Sequence, residues 1–336
     1  MDIGLIGFGG VGQALAGLLI EKKKYLREKY NLEINLKYII NSSGGIYNPE
    51  KIDLIHLINH IQKGKQISEY KDWGNYNIDS IIANGDVDTI VELTHTNISS
   101  GQPGLMHMEK ALKNRMNVVT GNKGPIFLKY KYLNELAGEN GVQLMVGCTT
   151  GGALPSINGG VIEVAGSEIT SMEGILNGTT NYILSEMMEK DISYDEALKQ
   201  AQKEGIAEKN PTLDIEGYDT AVKIIILSNV ILNTDLSLND IKVEGISHIK
   251  KEELIVLKEQ EKKLKLMGKV AMKNGKATAE VKLCEIDKSH PLYLVDGKNK
   301  GITYKTDSLG EISIIGGASG RINAAAAILR DLINLK

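Results

Sequence analysis

Two cysteines in 336 residues, Cys148 and Cys284, are too few for a disulfide scaffold, and a cytoplasmic setting fits that count. No apolar run approaches the roughly 18 residues of a conventional transmembrane helix, so no membrane span is expected. The opening MDIGLIGFGG lacks the basic stretch of a signal peptide and passes straight into a strand pattern. A net charge of -3 supplies no global basic field, which argues against nucleic acid or an anionic membrane as a partner. Internal repeats and low-complexity tracts are missing too. What is present is ordinary: 42% apolar and 24% charged residues, in a length that suits about two domains.

Residues 2–6 read as a short apolar strand, followed at once by Gly7-Phe8-Gly9-Gly10-Val11-Gly12. This is G-x-G-x-x-G, and Gln13 to Tyr30 continues it as an amphipathic helix. The glycines serve a tight turn, close approach of backbone to a pyrophosphate, and close packing of helix on strand. The pyrophosphate would rest on the helix N-terminus, where free amides and the dipole favour an anion. Alone the motif is weak evidence, but here strand, helix and position agree. A second strand, Ile34 to Ile40, ends in Asn41-Ser42-Ser43-Gly44, with no acidic residue to hold a ribose 2'-hydroxyl. Ser42 and Ser43 leave room for a 2'-phosphate, although no arginine stands beside them. NADP is therefore expected at least as readily as NAD.

Further on, His56 and His60 are four apart in a helical pattern, a spacing that can bind metal. With no third ligand nearby they read as ordinary helix residues. Alternation resumes with strand 89–93, helix 103–114, strand 116–120, a helix to 139 and strand 142–146. Such alternation means a parallel sheet covered on both faces. Thr94 and His95 follow one strand and Lys123 another, at the edge where such sheets bind ligands. Lys123, in the rigid stretch Asn122-Lys123-Gly124-Pro125, reads equally well as a solvated loop lysine. Cys148 is considered as a nucleophile. No histidine lies near it in sequence, and the inert reading is preferred.

Beyond residue 147 the character changes. An apolar, glycine-rich helix over 152–165 precedes a strand near 171–176 and the corner Asn177-Gly178-Thr179-Thr180-Asn181. Helices are expected over 182–189 and 193–204. Then comes GIAEKNPTLDIEGYDTAVK at 205–223, holding Glu208, Asp214, Glu216 and Asp219, and ending in Lys223 at the mouth of an apolar run to Leu232. Asp219 and Lys223, four apart, share a helix face. The plain alternative is a surface ion pair, but the buried character of the run favours a partly desolvated lysine suited to proton transfer. Residues 262–315 are mostly strand-like, with turns at Asn274-Gly275 and Asp296-Gly297. A second glycine-rich start at 316–320 opens a last helix, which could return to the cofactor domain with further amides.

The ordered set GFGGVG (7–12), ELTHTN (92–97), VVTGNKGP (118–125), GILNGTTNYIL (174–184), the 205–223 stretch and GASG (317–320) resembles homoserine dehydrogenase over nearly the whole chain. The resemblance implies an α/β protein: a Rossmann-like parallel-sheet domain (1–146 with 316–336) and an α+β catalytic and dimerisation domain (147–315). The implied reaction is NAD(P)-dependent interconversion of L-homoserine and L-aspartate 4-semialdehyde in threonine and methionine biosynthesis, by a cytoplasmic homodimer of the short form without a regulatory domain. Its active-site lysines match Lys123 and Lys223, and its substrate acids match Glu208, Asp214 and Asp219. Lys223, held by Asp219, is then the first choice to carry the hydroxyl proton, with Lys123 sharing the network. Glu208 and Asp214 would bind the substrate ammonium, while amides near Gly178 and Thr179 could take its carboxylate. Gly317 and Gly320 would join Gly7 to Gly12, Ser42, Ser43, Thr94, His95 and Lys123 around the cofactor.

Two departures are visible. Many members carry a glutamate that helps hold a structural monovalent cation, and Gly147 stands at its place. Carbonyls of Thr150, Gly152 and Leu154 could still contribute, so cation binding stays open. Asn323 also stands where the family usually has threonine. Two rivals remain, another NAD(P)-dependent oxidoreductase of a small amino acid or aldehyde, and a cofactor-binding sensor without turnover.

Overall fold

The computed structural model describes residues 1–317 and 319–335. Two compact units emerge, Met1–Thr149 with Gly320–Lys336, and Thr150–Ser319. The first begins β1 (Asp2–Ile6), α1 (Gly10–Tyr30), β2 (Asn35–Asn41), β3 (Gly44–Tyr47), α2 (Leu54–Gln62), β4 (Trp73–Gly74) and α3 (Ile78–Asn84). It continues through β5 (Thr89–Glu92), α4 (Gly104–Lys113), β6 (Asn117–Thr120), α5 (Lys123–Glu139) and β7 (Leu144–Met145). The short α6 (Cys148–Gly151) carries the chain into the second unit, which holds α7 (Ser156–Asn158), β8 (Ile169–Ile175), α8 (Gly178–Lys190), α9 (Tyr194–Lys203), α10 (Thr212–Ile215) and α11 (Tyr218–Ile231). β9 (Ile241–Val243), α12 (Lys251–Glu259), β10 (Lys263–Lys273), β11 (Lys276–Ile286), β12 (Lys300–Thr306) and β13 (Glu311–Gly316) complete it. α13 (Arg321–Ile333) returns to the first unit.

The first sheet has the order β4-β3-β2-β1-β5-β6-β7. β2, β1, β5, β6 and β7 are parallel, as the alternation predicts. β3 and β4 add an antiparallel edge, because Ser42-Ser43 is too short a connection for anything but a hairpin. The chain leaves β1 toward β2 on one side and resumes at β5 on the other, which opens a crevice beyond the C-terminal ends of β1 and β5. Ala325, Ile328, Leu329 and Leu332 recur at helical spacing along α13 and join Leu15, Ala16 and Leu19 of α1 in the buried core. Each large aliphatic chain among them contributes roughly 1.5–3 kcal/mol by leaving water.

The second sheet runs β13-β12-β8-β10-β11-β9 and is antiparallel except between β11 and β9. Asn274 (φ 51°) and Gly275 (φ 72°) make the expected two-residue turn between β10 and β11. α11 lies against β10 so closely that a Cβ on Gly268 would stand 3.1 Å from Ile224 and 3.2 Å from Thr220. Of the helix expected over 152–165, only α7 and a π-helical turn at Gly159–Glu163 form, and residues 152–155 stay outside it. Gly152 in the left-handed region (φ 60°) and Pro155, which has no N–H to donate, interrupt it. α12 appears where no helix was expected, and the strand over 142–146 shrinks to β7.

Candidate active site

In the first unit the glycine motif behaves as backbone chemistry requires. A Cβ on Gly7 (φ 101°) would lie 2.5 Å from the Leu93 carbonyl, and one on Gly12 would lie 2.5 Å from the Gly7 oxygen. Glycine at both places lets β1, α1 and the end of β5 close up. Gly9 caps α1 without a side-chain hydrogen bond, and the space beside its own missing Cβ is open. The first amides of a 21-residue helix therefore face a clear approach, which fits an anionic pyrophosphate. Asn41 fixes the loop by accepting from the Phe8 N–H at 3.0 Å. Val11 is half-buried on the first turn, and Ser42, Ser43 and His95 are exposed. Gly320 (φ 142°) is the N-cap of α13. Gly317 falls in the second unit, where its missing Cβ makes room for the Leu154 backbone. Ala318 of the GASG segment lies outside the described residues.

Arg321, which the sequence reading passed over, lies across Gly10. A Cβ there would meet its Cδ at 2.5 Å and its guanidinium carbon at 3.0 Å. A guanidinium thus sits beside the amides that would receive a diphosphate.

Lys123 is the first residue of α5 rather than part of a loop, because Asn122 caps the helix by accepting from the Gly124 N–H. Behind it stands Glu92, a second residue not singled out from sequence. It is fully buried at the end of β5, and its carboxylate accepts from the Thr94 N–H (3.2 Å) and, closely, from the Thr94 hydroxyl. The Thr94 oxygen accepts from Asn122 Nδ2 at 3.2 Å, and the Thr120 hydroxyl bridges the Glu92 carbonyl and the Asn122 N–H, both at 2.9 Å. Glu92 thereby fixes the backbone that carries Lys123. His107 Nδ1 stands 3.5 Å from the carboxylate without closing a hydrogen bond. A lone acid within the apolar TIVEL was the available signal.

In the second unit the end of β8 meets the starts of α8 and α11. Asn177 caps α8 through its Oδ1, which accepts from the Thr180 N–H at 2.9 Å. Its amide nitrogen donates to Asp214 Oδ1 (2.6 Å) and Asp219 Oδ2 (2.8 Å). Lys223 Nζ pairs with Asp219 Oδ2 at 2.6 Å and donates to the Leu176 carbonyl at 2.8 Å. Lys223 and Asp219 are only 14% and 12% exposed, so the pair is far from a surface ion pair. Burial raises the Asp214 carboxyl above its ordinary range, reinforced by the Asp219 charge and opposed by Asn177, Lys223 and Thr179. The Thr179 hydroxyl also holds Ile206 O at 3.2 Å, and Lys298 O crowds the missing Cβ of Gly178 at 3.0 Å. Glu208 is exposed, and the described hydrogen bonds and ion pairs of the Asp214, Asp219 and Lys223 cluster do not include its carboxylate.

A family profile for homoserine dehydrogenase matches residues 155–333. A homoserine dehydrogenase of Methanocaldococcus jannaschii is 40% identical, over 100% of this chain and 98% of its own length. The chain belongs to the homoserine dehydrogenase family. An NAD(+)-dependent homoserine dehydrogenase of Pseudomonas canavaninivorans is 31% identical over 99% of this chain and 95% of its own. The solved structure of a hyperthermophilic archaeal homoserine dehydrogenase mutant in complex with NADPH superposes with a TM-score of 0.81 at 26% identity, covering 99% and 96% of the two chains.

Other residues weighed beside the homoserine dehydrogenase motifs fall away from the site. His56 Nδ1 bonds the Tyr70 hydroxyl at 3.2 Å and His60 Nε2 bonds Gln66 O at 2.9 Å, and no metal-binding group of three acid, histidine or cysteine residues occurs among the described residues. Cys148 is buried, with its thiol donating to Ala324 O at 3.5 Å. In the 150–154 turn, Lys300 Nζ donates to Gly151 O at 2.6 Å.

Proposed function

We propose that the chain interconverts L-homoserine and L-aspartate 4-semialdehyde with NAD or NADP, and that Lys223 moves the hydroxyl proton. The observation that carries this is the Lys223 ammonium, held by Asp219 and the Leu176 carbonyl beside two carboxylates bridged by Asn177. When bound, the nicotinamide cofactor supplies or takes up the hydride at the substrate carbon. Reduction of the aldehyde leaves an alkoxide, and Lys223 Nζ donates the proton that neutralises it. In the oxidative direction the same nitrogen accepts the hydroxyl proton, having first passed one of its own to the surrounding network. Asp219 aims the ammonium and stabilises its charge, while Asp214, with Glu208 from the exposed loop, binds the substrate ammonium. The first amides of α8, at Gly178 and Thr179, receive the substrate carboxylate. Lys123, fixed at the start of α5 in the first unit, is the second lysine of this reading.

The first unit, with its open α1 amides and Arg321, is the dinucleotide-binding domain, and the second is the catalytic and dimerisation domain of a cytoplasmic homodimer. No acid follows β2, so NADP is accepted at least as readily as NAD. The NAD(+)-dependent relative and the NADPH-bound neighbour support both cofactors for the family.

The test is homoserine-dependent reduction of NAD and NADP by wild type and Lys223→Ala. Wild type turns over with both cofactors, and the variant loses about 10²–10⁴-fold in kcat. No homoserine-dependent reduction by wild type rejects the reading, and a fully active variant rejects only the role of Lys223. Sedimentation velocity reads the dimer directly.

A further inference from the structure

The turn at 150–154 is where a family cation would sit, and its residues do not fit one. Gly147 offers no carboxylate, and the positions left to bind are main-chain carbonyls. One neighbouring carbonyl is already engaged by a positive charge. Lys300, the first residue of β12, is only 5% exposed, and its Nζ donates to Gly151 O at 2.6 Å. The same nitrogen lies 3.9 Å from where a Cβ on Gly152 would be, in contact with the left-handed bend of the turn. Gly151 is the last residue of α6, so the ammonium meets the negative end of a helical turn. Four residues along the same face of β12, the Tyr304 hydroxyl donates to Ser156 O. One strand thus grips both ends of the segment from Gly151 to Ser156. Inside it, the Leu154 N–H returns to Gly151 O at 3.3 Å, the Ser156 N–H bonds Leu154 O at 2.8 Å, and the Thr150 and Ser156 hydroxyls meet at 2.8 Å.

We propose that the Lys300 ammonium replaces the monovalent cation at this turn, so that the protein holds it without a metal ion. An ammonium and an alkali ion make the same demand on carbonyl oxygens, namely a compact unit positive charge at close range. The ammonium is tethered, however, and needs no carboxylate partner to be retained there. It also excludes the ion. A second positive charge about 4 Å away, at an effective dielectric near 20, binds roughly a thousandfold more weakly. The turn that opens the second unit keeps its shape whatever alkali ion surrounds it.

The test compares thermal unfolding of the full chain in sodium, potassium and choline chloride at equal ionic strength, together with the ²³Na line width on titrating in protein. The wild type should unfold at the same temperature in all three salts and leave the sodium line unbroadened beyond what a choline-matched control protein produces. Lys300→Met, which keeps the apolar stem without the charge, should unfold several degrees lower in choline and recover part of that loss as sodium or potassium is raised. Saturable stabilisation of the wild type by either ion, or sodium broadening that potassium competes away, overturns the proposal. A Lys300→Met protein equally destabilised in the three salts overturns it as well, leaving the lysine a packing role. Should that variant fail to fold, the wild-type unfolding and line-width measurements decide alone.

Discussion

At the start of α1 the first unit offers main-chain amides, clear space and one guanidinium. At the starts of α8 and α11 the second unit offers two carboxylates, a lysine and an asparagine locked together within hydrogen-bond distance. A site of the first kind depends on which residues are missing, because its glycines allow close approach of backbone. One of the second kind depends on which side chains are present and on how little water reaches them. The difference bears on mutation: a glycine-made site breaks when atoms are added, a side-chain site when charge is removed.

The largest effect should come from adding one methyl group. Gly7→Ala puts a Cβ against the Leu93 carbonyl at a left-handed φ, and should cost roughly 3–5 kcal/mol of unfolding free energy, read by urea denaturation, along with cofactor binding. Next is Asp331, fully buried on α13. Burial pushes its carboxyl up to about 6 against the opposing pull of Arg330 and of the Gly147 and Cys148 amides, which face it without closing a hydrogen bond of normal geometry. A folded-state pKa raised above the unfolded value gives stability that is full at low pH and lost as pH climbs from about 4 to about 6. Asp331→Asn should remove roughly 3 kcal/mol of that slope, measured as Tm against pH beside wild type.

The contrast sharpens with one substitution in each site. Asp214→Asn should lower kcat/KM for homoserine about 30–100-fold while leaving the dissociation constant for NADPH unchanged. It should also remove any acid-side limb of the pH profile that stems from the raised Asp214 carboxyl. Arg321→Ala should do the reverse and more mildly, weakening NADPH about 5–10-fold by fluorescence titration with kcat nearly intact. Equal effects of both variants on cofactor and substrate would erase the distinction between the two sites.

That distinction also explains what could be read in advance. GFGGVG occupies six consecutive positions because a strand, a tight turn and a helix start are local, so its geometry was legible in the sequence. The pairing of Asp219 with Lys223 was legible for the same reason, as one turn of one helix. The bridge through Asn177 was not, since it joins residues 37 and 42 positions apart through the meeting of β8, α8 and α11. Glu92 is tied to Asn122 through Thr94 and Thr120 only because β5 and β6 are neighbours, and Arg321 reaches Gly10 only because α13 folds back onto α1. Helix boundaries suffered from punctuation: Gly152 and Pro155 delayed the start of one expected helix to Ser156, and the Asn177 cap moved the start of another back to Gly178.

The return of α13 to the first unit also dictates an order of events during synthesis. The strand-helix-strand units of residues 1–149 leave the ribosome long before Ala325, Ile328, Leu329 and Leu332, the side chains that finish burying α1. The nascent first unit must therefore wait with an apolar helix face uncovered, and the sequence separation of its final contacts makes that closure a late step. The intervening unit, whose chain is continuous, can reach its folded form first. The first unit supplies the earliest strands and is completed only once α13 is in place.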